Sequence, residues 1–244
     1  RVRAVHGRIH LPGRGGVVPP SPMMRIPVDL HVHSALSPCA DDDASPGDLV
    51  GMARVKGLAA IALTDHQTCG NVAPAMVRGE RLGVLVVPAM ELETIEEVHL
   101  LCYFPDLGRA LAFEGEVRRR LPAMANRPDI LGRQYLFDDR DRLAGEDPAL
   151  LLAACSMTAE EAGARVAAMG GAVVPAHVDR ESYSLLNTLG TIPPGFPCRY
   201  LEVTLPTFAD PARRTQFLSR YPEAARFRLM AGSDAHRAVD LLEP

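Results

Sequence analysis

A short apolar strand that ends in two histidines constrains this chain more than any other stretch. Ile26, Val28 and Leu30 alternate into Asp29-Leu-His-Val-His-Ser. Residues i and i+2 of a strand project to one face, so His31 and His33 emerge side by side. Two imidazoles converging from one strand end can hold a divalent metal. Asp41, Asp42 and Asp43 follow within ten residues. A lone His-x-His is weak evidence, so the question is whether the rest of the chain brings further ligands to the same edge.

Ser45-Pro46 reads as the start of a helix, with Ser as N-cap and Pro at N1, and Gly57 as its stop. Residues 58–63 form a continuous apolar run, the pattern of a parallel strand buried on both faces, ending in Thr64-Asp65-His66. Asn71 is placed to cap a helix that stops near Gly83. Residues 84–87 are a third buried strand, ending in Pro88-Ala-Met-Glu91. In parallel α/β folds the strand C-termini are where sites are built. Residues 97–104 are a fourth strand, and a hairpin turning near Ile95 would set His99 opposite Glu91. Residues 105–119 read as helix. Residues 120–150 are too irregular for a barrel wall and read as an insertion or lid. Thr158-Ala-Glu-Glu161 is a capping box for a helix ending at Gly170-Gly171. Three further strands follow: 172–177 ending in His177, 200–204 carrying Glu202, and 227–232 leading into Ser233-Asp-Ala-His236. Only eight residues come after His236, which reads as a chain cut short before a closing helix.

Composition narrows the class. At 244 residues and 47% hydrophobic content, one α/β domain over residues 26–244 is expected. Residues 1–25 carry five arginines and no acid, show no periodicity, and read as a disordered basic leader. The remainder is acidic, which disfavours nucleic acid as the partner. No apolar run is long enough to span a membrane. The five cysteines (Cys39, Cys69, Cys102, Cys155, Cys198) are scattered and odd in number, the usage of a reducing cytoplasm.

A histidine alone on an apolar face is usually a hydrogen-bonded core residue. Here His31, His33, His66, His177 and His236 all fall at strand C-termini, four of them within two residues of a carboxylate. Core packing does not account for that. Glu91 after a buried strand would be costly unless a cation met it. The N and O donors suit Zn, Mn or Fe, and their number suits two or three ions. Arg180, three residues after His177, is the best placed guanidinium for a phosphate; Arg127 and Arg133 come next, with solvated ion pairs the readier role for both.

These motifs together resemble the PHP (polymerase and histidinol phosphatase) family: Asp29-Leu-His-Val-His-Ser, Thr64-Asp-His66, Glu91 after Pro88, His99 in Val-His-Leu-Leu, Pro175-Ala-His177 and Ser233-Asp-Ala-His236. The resemblance implies a distorted seven-stranded (β/α) barrel with two or three divalent metals. It implies the ligands His31, His33, Asp41, His66, Glu91, His99, His177, Asp234 and His236, with Asp42 as second choice to Asp41. Asp29, Asp65 and Glu202 would orient ligand histidines. The implied activity is metal-dependent hydrolysis of a phosphomonoester or phosphodiester through a hydroxide bridging the metals, with Glu91, His66 and Asp234 central and a small phosphorylated metabolite or nucleotide as substrate. The alternatives are an accessory module of DNA replication or repair, exonucleolytic or purely structural, and a metal-dependent amidohydrolase. Oligomeric state is not legible.

Overall fold

The apolar runs form strands. The computed structural model describes residues 26–243; the basic leader, with His6 and His10, lies outside them. Strands β1 (Val28–Val32), β2 (Ala60–Leu63) and β3 (Leu85–Glu93) lie parallel. Their crossovers are α1 (Pro46–Val55) and α2 (Val72–Leu82). The Ser45 hydroxyl accepts from the Asp48 N–H at the start of α1, and Gly83, at φ +70°, ends α2 in the left-handed conformation that a Cβ would strain. Asn71 stands at the α2 N-cap without capping it. Its amide instead joins Ser34 Oγ (3.0 Å), the Tyr135 carbonyl (3.0 Å) and the Phe137 N–H (3.0 Å).

Strand β4 (His99–Tyr103) runs antiparallel to β3, as the hairpin reading required, but the register differs by two residues. His99 pairs with Glu93, and Glu91 with Leu101. The tight turn sets this: Thr94 N–H bonds the Val98 carbonyl and Glu97 N–H bonds the Thr94 carbonyl. Because side chains alternate, Glu91, Glu93 and His99 still share one face.

Helix α3 (Leu107–Arg118) follows, capped by Asp106. Residues 120–150 hold a short helix α4 (Pro128–Leu131) and a two-stranded hairpin of β5 (Tyr135–Phe137) and β6 (Leu143–Glu146), outside the main sheet. This insertion braces the loop after β1: Tyr135 N–H donates to the Ala35 carbonyl at 2.7 Å, and Gly47 N–H donates to Asp141 at 2.7 Å. The remaining elements are α5 (Ala159–Ala168), β7 (Ala172–Pro175), α6 (Leu185–Leu189), β8 (Tyr200–Glu202), α7 (Leu205–Ala209), α8 (Pro211–Arg220) and β9 (Arg228–Met230).

The seven strands outside the insertion do not make one continuous hydrogen-bonded sheet. A curled five-stranded mixed sheet has the order β1-β2-β3-β4-β7, and β8 and β9 make a separate parallel pair. Between these two sheets the ladders give way to single links: Val178 N–H to the Glu202 carbonyl (2.8 Å), and His33 N–H to the Ala235 carbonyl (2.9 Å). Strands β8 and β9 are only three residues long, and the chain turns out of line at His177 (φ +29°) and Asp234 (φ +53°). The Asp29 carboxylate closes the remaining gap by accepting from Ser233 N–H (3.0 Å) and Leu242 N–H (3.0 Å). It clamps backbone rather than orienting an imidazole.

The core lies between the sheet and the helices, with Leu49, Ile61, Leu63, Met90, Leu92, Leu100 and Phe113 fully buried. Each such side chain contributes roughly 1.5–3 kcal/mol by leaving water. The other face of the sheet, at its C-terminal edge, is lined by polar side chains.

Candidate metal centre

His31 in β1 and His33 just past its end reach that edge fully buried. His31 Nε2 stands 3.2 Å from His33 Nε2, 3.4 Å from Glu91 Oε1 and 3.2 Å from Asp234 Oδ1. His33 Nε2 stands 3.3 Å from Glu91 Oε2 and 3.3 Å from Asp234 Oδ1. Ligands at about 2.0–2.2 Å from one ion in a tetrahedron stand roughly 3.3–3.6 Å apart. The four side chains therefore have the spacing of a first coordination sphere, drawn from strands distant in sequence.

Glu91 is the hub. Its Oε1 also faces His99 Nδ1 (3.0 Å) and His177 Nε2 (3.2 Å), and its Oε2 faces His66 Nδ1 (3.2 Å). His33, His66 and His236 bring ring nitrogens within 4.8 Å of one another, and so do the donors of His66, Glu91 and His99.

The rings are held from behind. His31 Nδ1 is bonded to Glu202 at 2.9 Å, and Glu202 also accepts from the His177 N–H at 3.1 Å. His33 Nδ1 meets Ser37 Oγ at 3.1 Å, and that hydroxyl donates to Asp65 at 2.8 Å. Asp65 thus acts on His33 through Ser37. His236 Nδ1–H donates to the Asp234 carbonyl at 2.8 Å. Such outer contacts fix ring orientation and tautomer, leaving Nε2 free in each case.

Electrostatics follow from this crowding. Burial pushes the Glu91 carboxyl up, but His99, His31 and His66 outweigh it and hold it well below the usual range. Burial likewise opposes protonation of His31, yet Glu202, Glu91 and Asp234 raise it well above an ordinary histidine. His33 is raised against burial by Asp234 and Glu91, and His99 to about 9 against burial by Glu91. His66 goes the other way: burial lowers it well below the ordinary value, Glu91 notwithstanding. His236 is lowered by burial and by His33.

The donor set also passes a test of need. His99 Nε2 and His177 Nδ1 are buried with no hydrogen-bond partner, a state that costs about 1–3 kcal/mol per group when nothing polar binds. A divalent ion among N and O donors fits this arrangement; its holders would be His31, His33, His66, Glu91, His99, His177, Asp234 and His236.

A recess of about 260 Å³ opens onto these groups. Arg180 lies on its wall, 45% exposed at the side chain, and donates to Asp234 Oδ2 at 2.7 Å. The structure places Asp41 elsewhere. Its side chain lines a separate recess with Asp43 and Arg237, because its own N–H is tied to the His236 carbonyl at 2.9 Å. Asp42 is exposed and does not line the metal recess either. Arg127 and Arg133 pair with Asp129 and Glu146 and also stay out of it.

Three recess residues escaped the sequence reading. Cys39 lines the recess. Glu93, nearly buried, has Oε2 3.8 Å from His99 Nε2; it was legible as the i+2 neighbour of Glu91. Tyr183 stacks on His99 at 4.5 Å between ring centroids, and its carbonyl accepts the His99 N–H at 3.0 Å. Its φ of +57° gave no local signal.

The profile of the PHP domain matches residues 29–153, which is just over half of the chain. The chain belongs to the PHP domain family. Members of the family bind divalent metals, and the histidine and glutamate groups described above could hold one. No curated protein matches the sequence. Among solved structures, the chain is similar to the lesion-specific endonuclease Q from Pyrococcus furiosus. That match has 18% identity and a TM-score of 0.60, over 87% of this chain and 49% of that one. The PHP chain thus spans about half the length of endonuclease Q. It is also similar to a protein assigned as a metal-dependent phosphoesterase from Bifidobacterium adolescentis, with 20% identity and a TM-score of 0.56, over 86% and 88% of the two chains. An amidohydrolase from Chromobacterium violaceum matches at 18% identity and a TM-score of 0.58, over 89% and 90%. At these identities the likeness is one of fold. Among the described residues, no helix is long and apolar enough to cross a membrane.

Proposed function

We propose that this PHP chain hydrolyses a phosphomonoester or phosphodiester of a small metabolite or nucleotide. The observation that carries the reading is the four-donor cage of His31, His33, Glu91 and Asp234, with the Arg180 guanidinium bonded to one of its members. When bound, divalent ions supply Lewis acidity, lowering the pKa of water and offsetting phosphoryl charge.

The protein's own residues do the rest. Glu91 presents its two oxygens to different histidines and would be the carboxylate shared by the ions those histidines hold. His66 stays neutral at physiological pH and keeps its lone pair for an ion. Asp234 stays ionised, because His31 and His33 outweigh its burial. Arg180 is anchored to Asp234 by one nitrogen, which leaves the rest of its planar fork for phosphoryl oxygens. Catalysis then rests on positioning and charge stabilisation. The five unpaired cysteines suit a reducing cytoplasm.

The test is metal content of protein purified without chelator, with turnover of p-nitrophenyl phosphate and nucleoside monophosphates. The reading requires at least two ions per chain, and turnover that His66→Ala and Asp234→Asn abolish. Metal without turnover on any phosphoester, or turnover on amides, would sink it.

A second reading has one observation behind it. The exposed Tyr183 ring and the exposed Arg180 fork share the mouth of the recess, a pairing that suits a base and its phosphate. Endonuclease Q, the structural relative of twice the length, has been captured on a 27-mer duplex with an abasic lesion at its active site. A nuclease would cleave such a duplex faster than it turns over nucleoside monophosphates.

A further inference from the structure

We propose that the substrate is a phosphodiester, one of whose ester groups is small and uncharged, and that Thr204, Leu205 and Pro206 form the subsite for that group. The inference deepens the phosphoesterase reading and rests on it.

Two recesses share one wall. His177, Arg180 and Asp234 line the metal recess on one side and a second, smaller recess of about 150 Å³ on the other. The opposite wall of the second recess is the segment from Val203 to Pro206. Arg180 stands in the partition, bonded to Asp234 by one nitrogen and 45% exposed at the side chain. A phosphoryl group held by the free part of that fork has a recess on each side.

The number of ester groups then distinguishes the substrates. A monoester has one organic group and fills one recess. A diester has two, on separate oxygens of the same phosphorus, and fills both. The metal recess offers the exposed Tyr183 ring to one group. For the other, a cavity of about 150 Å³ takes a group the size of a benzene ring. A single sugar or a short alkyl chain fits, and a whole nucleotide does not. Glu202 and Asp234 both border this recess, so a second phosphate is repelled. Val203, Leu205 and Pro206 add apolar surface. The lining is that of a site for a neutral alcohol.

The second recess is held open by design of its loops. Asp179, the neighbour of Arg180, accepts from the Thr204 N–H at 2.9 Å and from the Thr204 hydroxyl at 2.6 Å. Thr204 therefore stands at the N-cap of α7 without capping it. Pro206, in the first turn of α7, fixes the backbone beyond. The loop that carries the phosphate-binding fork and the loop that carries the subsite are thus tied at one spacing. Leu205 is left 36% exposed, with apolar surface still to be covered.

In the reaction, the oxygen of water bonds to phosphorus and the P–O bond to one ester group breaks. The departing alcohol takes a proton from that water, and a phosphomonoester remains.

The experiment uses the full chain purified without chelator, with p-nitrophenyl phosphate and its methyl, ethyl and propyl diesters. Expected is a higher kcat/KM for every diester than for the monoester, rising about two- to fourfold with each added methylene, the upper figure being full burial. Leu205→Trp, which puts an indole into the second recess, should lower the ratio of propyl diester to monoester turnover roughly tenfold. Leu111→Trp, at an exposed position of α3, should not move that ratio. Binding is read separately by calorimetry with dialkylphosphinates, diester mimics that have no ester bond to cleave. Dipropylphosphinate should bind roughly tenfold more tightly than dimethylphosphinate, and Leu205→Trp should erase the difference. A monoester turned over faster than every diester, or preferences that Leu205→Trp leaves intact, overturns the subsite and leaves the phosphoesterase reading standing. Turnover of neither kind of ester overturns both.

Discussion

Glu202 holds His31 by its Nδ1 at 2.9 Å, behind the metal cage and out of reach of solvent. The bond orients the ring and keeps Nε2 turned to Glu91 and Asp234. Glu202→Gln keeps the shape and removes the charge. Metal affinity should fall roughly 10–100-fold, measured by competition with a chromophoric chelator. An unchanged affinity would mean that packing alone orients His31.

Metal removal should cost stability. An ion at 100 times its Kd adds about 2.7 kcal/mol to the folded state. For a domain of this size that is roughly 5–10 °C in Tm. Scanning calorimetry before and after chelation is the measurement, and a Tm that does not move would deny a tightly held ion.

Protons compete with the metal. His31, His33 and His99 are all raised, His99 to about 9, so without an ion His99 holds a proton at pH 7.5. Binding an ion must displace that proton, because only the neutral ring coordinates. Affinity should therefore rise with pH until about 9 and then level off. Titration calorimetry in two buffers of different ionisation heat should show proton release on metal binding at pH 7.5. Zero release would contradict the charged cluster.

Gly232 has no room for a side chain. A Cβ there would lie 2.5 Å from His31 Cβ and 2.8 Å from Glu202 Oε1. Gly232→Ala must push the end of β9 away from β1, at about 1–3 kcal/mol. Both chemical denaturation and metal affinity should register the change, whereas Gly145→Ala, whose Cβ would meet open space, should leave metal affinity unchanged.

Much of this site was legible because its chemistry sits where apolar runs stop. His31, His33, His66, His177 and His236 follow strands, and strand ends were readable from pattern alone. The direction of the β3–β4 hairpin was readable too. Its register was not, because the turn at Thr94 and Glu97 sets it, and so Glu93 rather than Glu91 pairs with His99. Asp41 was misplaced for a different reason. Its orientation depends on a bond to His236, from the far end of the chain, and no local pattern encodes that. The breaks in the sheet were hidden on the same ground: strand count was readable, but the single-bond links at Val178 and Ala235 depend on where His177 and Asp234 bend the backbone.

The Asp29 clamp has a consequence for how the molecule is made. Its partners, Ser233 and Leu242, stand 204 and 213 residues further along the chain. Contacts of such sequence separation form late, after the loop between them has closed. Asp234 and His236 lie in the segment that this contact closes, so their donors are expected to meet His31 and His33 only once that long loop has shut.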